Sequence, residues 1–137
     1  MPVLDVDVLS TSTDANPAYR VRHTHARMCA VARHSEAIGI RPGDDTSELT
    51  HRRELELLAL LADYDRVSGR NTEYGLARYL ESLAEACARF EASCPALPLG
   101  DNPVTGLHLA RVALCAEARR VLADGLRRLG VSAPEQL

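Results

Sequence analysis

The stretch LARYLESLAEACARFEASC, from Leu76 to Cys94, places apolar residues at Leu76, Leu80, Leu83, Cys87, Phe90 and Cys94. Their spacing, 4-3-4-3-4, is the period of an α-helix with a single apolar stripe, whereas a strand would alternate every second residue. A stripe of that length has to be covered by other helices, so the fold class follows from it: an all-α bundle. Thr72 or Asn71 begins this helix, and Pro95 ends it.

Working outward, two Asn-Pro pairs, Asn16-Pro17 and Asn102-Pro103, each set a capping side chain before a proline suited to the first helical position. They predict a first helix from Pro17 to Ile38, stopped by Gly39 and the turn-rich RPGDDTS, and a last helix from Pro103 to Leu129 with Gly130 as its stop. In the last helix Leu114, Ala118, Leu122, Leu126 and Leu129 should face inward. Between the first helix and the opening stretch, Thr50 is expected to cap a leucine-dense helix running to Val67 and broken by SGRN. Four main helices with short connections predict one antiparallel bundle over residues 16–137. Residues 1–15 alternate apolar and acidic side chains in VLDVDVL, but no second strand candidate exists to pair with them, and they read as an extended arm.

Composition agrees with that class. The 137 residues are 46% hydrophobic and only 4% aromatic, with no tryptophan, so the core must be built from leucine, alanine and valine. All sixteen basic residues are arginine, and the formal charge is −3. Nucleic-acid binding would therefore rest on a local basic stripe and not on a global field. Cys29, Cys87, Cys94 and Cys115 form no C-x-x-C pair, and no signal segment or bilayer-length apolar run is visible. These features predict a reduced, cytoplasmic protein with no role in a membrane.

The first helix raises a sharper question, because RVRHTHARMCAVARH, Arg20 to His34, holds three histidines and a cysteine. At about 100° per residue, His25 shares the apolar face with Val21, Met28, Cys29 and Ala32, while His23 and His34 lie on the opposite side. His25 and Cys29 could supply two metal ligands, but a structural zinc needs four and a catalytic one three. His51, His108 or a carboxylate would have to complete the set, so a core histidine beside a thiol is the favoured reading and no metal or cofactor is expected. The outer face gathers Arg20, His23, Arg27 and His34, with Arg33 at its edge. Such a stripe can track phosphates or meet an acidic partner; it can also be a solvated helix face.

Asn16-Pro17, Tyr19, Val21 and His25-Ala26-Arg27 resemble the start of the C-terminal anticodon-binding domain of arginyl-tRNA synthetases, the helical DALR domain. ARVALCAEARRVLADGLRRLGVSAPEQL, Ala110 to Leu137, is similar almost throughout to the closing helix and tail of those enzymes, and LTHRRELELLALLA and LARYLESLAEACARF resemble the helices between, in order. The resemblance implies the same bundle that the periodicity predicts. It also implies departures at the anticodon-facing surface: Arg20, His23 and Glu91 stand where the family carries tyrosines, and Leu137 replaces a terminal methionine. Stacking a base on an aromatic ring is worth about 1–3 kcal/mol, so weaker base reading is expected, with guanidinium and imidazole planes as partial substitutes and Glu91 repelling phosphates.

The catalytic signatures H-I-G-H and K-M-S-K-S of the synthetases do not occur, and a chain without lysine cannot hold the second. The expectation is a freestanding, non-enzymatic tRNA-binding module that presents or senses tRNA, of arginine type by resemblance, or acts in trans with a synthetase-like or aminoacyl-tRNA-using protein. The candidate contacts are Arg20, His23, Arg27 and Arg33, with Tyr19, Arg78 and Leu137 by position. The alternative is a bundle that keeps the fold and works through protein contacts, including those of a homo-oligomer. Two carboxylate doublets, Asp44-Asp45 and Glu81/Glu85, are of the kind acid–base chemistry uses, but read more simply as a turn and a solvated helix face.

Overall fold

A computed structural model describes residues 17–70 and 72–133; the expected arm, the Asn16 cap and Leu137 lie outside them. The described residues contain helices α1 (Pro17–Ala37), α2 (Arg52–Ala62), α3 (Tyr64–Gly69), α4 (Glu73–Ser93) and α5 (Gly106–Arg128), with a 3-10 turn at Thr46–Glu48 and no strand. The four longer helices form the expected all-α bundle.

α1 and α5 end by the same device. Gly39 and Gly130 adopt φ of 79° and 75°, which an L side chain resists. The turn this permits lets Ile40 N–H reach the Ser35 carbonyl at 2.8 Å, and Val131 N–H the Leu126 carbonyl at 2.9 Å. Ile40 then folds back into the core.

Two helix starts differ from the sequence reading. α2 is capped by His51 and not by Thr50: the His51 Nδ1 accepts from Arg53 N–H at 3.0 Å, and Glu54 Oε1 accepts from His51 N–H at 2.9 Å. α5 begins at Gly106 and not at Pro103, because Thr105 and His108 close a similar reciprocal box, with Thr105 N–H donating to His108 Nδ1 at 3.1 Å. The expected continuous helix to Val67 is also interrupted at Asp63. There the Leu60 carbonyl is taken by the Tyr79 hydroxyl of α4 and by Asp63 N–H, so the α-helical ladder does not run through. α3 restarts beyond the break and buries Tyr64, whose hydroxyl donates to Asp124 of α5. Burial, and then the Asp124 carboxylate, push the Tyr64 phenol up to about 12.

α5 runs through the middle of the molecule, packing most extensively on α1 and also on α4 and α2. The whole predicted stripe of α4 is buried, as are Leu114, Ala118, Leu122 and Leu126 of α5, while Leu129 is partly buried. Val21 and Met28 bring α1 into the same core. α4 and α5 approach closely where Gly125 meets Leu80. Among the described residues Glu54 joins His25 and Ser35 as a buried polar side chain: 1% exposed, it accepts from Arg111 Nε of α5, and Arg111 also donates to the Pro95 carbonyl at 3.0 Å. One guanidinium thereby ties the start of α2 to the chain leaving α4.

All four cysteines are buried, and no disulfide joins them among the described residues. Burial drives the Cys87 and Cys115 thiols upward, Cys115 to about 12, so both stay protonated. No described helix is long and apolar enough to cross a membrane.

Candidate nucleic-acid interface

The two faces of α1 are sorted as its periodicity predicts. Val21, His25, Met28 and Cys29 are buried, and Arg20, His23, Arg27, Arg33 and His34 are exposed. The His25 ring lies against the Cys29 thiol, with Nε2 at 3.6 Å from the sulfur. Among the described residues no three His, Cys, Asp or Glu side chains are grouped so as to hold a metal ion.

α4 supplies the opposing wall. Between it and α1 lies a groove of about 690 Å³, lined by Tyr19, Arg20 and His23 on one side and Arg78, Glu81 and Glu85 on the other. Four of the seven sequence-derived candidates thus meet in one concavity. The i, i+4 spacing of Tyr19 and His23 stacks their rings, centroids 5.9 Å apart and planes inclined by 28°. Tyr19 is half-buried and His23 exposed, and both line the groove. Arg20 and Arg78 make no ion pair with any described residue. Their guanidinium groups keep their donors for a ligand.

Arg27 is placed differently. Further along α1, its guanidinium is engaged by Glu91 of α4, with Nε at 3.4 Å from Oε1 and a closer contact through Nη2. The hydrogen bond to Glu91 and the charge of that carboxylate both hold the Arg27 pKa above its ordinary value. Arg33 is exposed, outside the groove and without a described ion-pair partner. Leu137 lies outside the described residues.

Thr24 and Ser82 also line the groove and were not singled out from sequence. Each follows a candidate arginine by four residues, Arg20 and Arg78, and that spacing was the available signal. The Thr24 hydroxyl is turned back on its own helix, donating to the Arg20 carbonyl at 2.8 Å. Of the carboxylate doublets, Asp45 accepts from the Ser47 hydroxyl at 2.5 Å and caps the 3-10 turn by accepting from Ser47 N–H at 2.9 Å, and these two bonds, the hydroxyl first, lower its pKa. Glu85 pairs with Arg89 at 2.6 Å while Glu81 faces the groove.

A groove with two uncommitted guanidinium groups, a stacked aromatic pair and carboxylates on one wall can accept phosphates at its rim and a planar, polar ring inside. The family model described as the DALR anticodon binding domain matches residues 21–137. An "Arginine--tRNA ligase" from Frankia alni is 40% identical over 141 residues, an alignment spanning 98% of this chain and 26% of the relative. The chain therefore corresponds to about a quarter of that ligase's length. A solved chain described as a "putative arginyl t-RNA synthetase" from Campylobacter jejuni superposes with a TM-score of 0.71 at 16% identity, covering 98% of this chain and 29% of its own. At that identity the likeness is one of fold.

Proposed function

The chain belongs to the DALR anticodon binding domain family, and from that premise we propose that it is a tRNA-binding module whose contact surface is the groove between α1 and α4. The observation that carries this reading is the convergence of Tyr19, Arg20, His23 and Arg78 on one concavity. In the proposed complex Arg20 and Arg78 pair with backbone phosphates, and the Tyr19–His23 stack offers an accessible ring face to an unstacked base of a single-stranded loop. Arg27 and Arg33 extend the basic face along α1, and Leu137 belongs to the proposed set by position alone.

An arginine-type tRNA is the proposed ligand, by likeness to the arginine–tRNA ligase. Activation of the amino acid is proposed to lie with a synthetase-like or aminoacyl-tRNA-using partner acting in trans, to which this bundle presents tRNA or whose tRNA it senses.

The test is electrophoretic retardation of an arginine tRNA transcript at rising salt. Retardation at low salt that weakens steeply as salt rises is expected, and Arg20→Ala or Arg78→Ala should each flatten the slope of log affinity against log salt by about one unit. If no tRNA is retarded at low salt, the reading fails, and a bundle working through protein contacts takes its place.

A further inference from the structure

Arg27 and Glu91 face each other across α1 and α4, next to the groove but outside its lining. The arginine side chain is 54% exposed and the glutamate 27% exposed. The pair is reachable by a polyanion and also by salt. Arg20, Arg33 and Arg78, the other arginines of this surface, have no such partner among the described residues.

Resting on the tRNA reading above, we infer that Glu91 is a specificity-determining residue that acts as an internal stand-in for phosphate: it occupies Arg27 in the free protein, and RNA gains this guanidinium only by displacing it. The chemistry is a direct competition. The donors of a guanidinium fork match a carboxylate and a phosphate alike, so Arg27 serves one or the other. Both donating nitrogens that approach Glu91 are on the edge of the fork that a phosphate would use. An incoming strand has to displace Glu91 and then lie beside its uncompensated charge. An exposed pair is weak and screened, so this sets a graded threshold and not a barrier. Polyanions that offer only scattered phosphates gain little from this corner of the surface. A ligand that first fills the groove has both Arg20 and Arg78 holding it while Glu91 is displaced.

Four proteins decide the matter in a tRNA-transcript titration at several salt concentrations: the wild type, Glu91→Gln, Arg27→Ala and the double variant. Glu91→Gln is close to isosteric and its fold is checked by the thermal melt. We expect Glu91→Gln to bind about 3- to 10-fold more tightly at low salt and to steepen the salt slope by roughly 0.7 to 0.9 of a unit, the value of one released counterion contact. Arg27→Ala alone should weaken binding, but by less than Arg20→Ala does, because Glu91 already competes for its guanidinium, and in the double variant the gain from Glu91→Gln should vanish. A gain that survives in the double variant reflects net charge alone and overturns the inference. Equal binding by wild type and Glu91→Gln overturns it while leaving the tRNA reading intact. Binding that appears only in Glu91→Gln upholds the inference and overturns the reading for the wild type, and no binding by any of the four overturns both.

Discussion

Glu54 shows what a single residue can conceal. In LTHRRELELLALLA it reads as one more surface charge on an amphipathic helix, yet it is buried, caps its own helix by accepting from His51 N–H, and pairs with Arg111. No periodicity announces this, because the partner is 57 residues away and the geometry exists only once α2 and α5 are packed. Removing one member of such a pair leaves a buried charge without compensation, at a cost of about 3–5 kcal/mol, whereas replacing both by apolar groups of similar volume is close to neutral. Arg111→Ala should therefore lower the unfolding free energy in urea by about 3–5 kcal/mol, and the Glu54→Leu/Arg111→Met double variant should recover most of it. Equal stability of Arg111→Ala and wild type would show that the pair is not the link between α2 and α5. Glu91 gives the same lesson on the surface. Sequence order marks it as an acid hostile to phosphate, but only the placement of α1 beside α4 reveals that its charge is already spent on Arg27.

Among the helices, legibility tracked how local the cause was. The stripe of α4 was fully readable because burial follows from spacing within the helix, and the glycine stops of α1 and α5 were readable because a positive φ is a local demand. The break at Asp63 was not, since it depends on the Tyr79 hydroxyl arriving from α4 to occupy the Leu60 carbonyl. At the start of α5 two local signals competed, and the Thr105–His108 box prevailed over Asn102-Pro103. The helix crossing itself is tested at Gly125. Alanine there should gain about 1 kcal/mol of helix propensity, but its Cβ would stand 2.6 Å from Cδ2 and 3.1 Å from Cγ of Leu80. Leu80 is fully buried and has nowhere to turn, so the overpacking cost of about 1–3 kcal/mol exceeds the gain. Gly125→Ala should thus melt below the wild type, and a raised melting temperature would mean that α4 and α5 are not in close contact at this point.

At the scale of the molecule, the bundle and the inside-outside sorting of α1 were present in the residue pattern, with His25 inward and Arg20 and His23 outward. The groove was not. The sequence set Arg78 apart from the α1 residues and treated Glu81 and Glu85 as a solvated doublet, because nothing in a one-dimensional pattern tells which faces of α1 and α4 meet. The docked pair of helices turns a basic stripe into a two-walled site, and on it rests the claim that this bundle holds tRNA. The most direct measurement is a backbone amide NMR titration with the isolated anticodon stem-loop of an arginine tRNA. Shifts concentrated over residues 19–27 and 78–85 are predicted; shifts confined to α2 and α3, or none at low salt, would contradict the account.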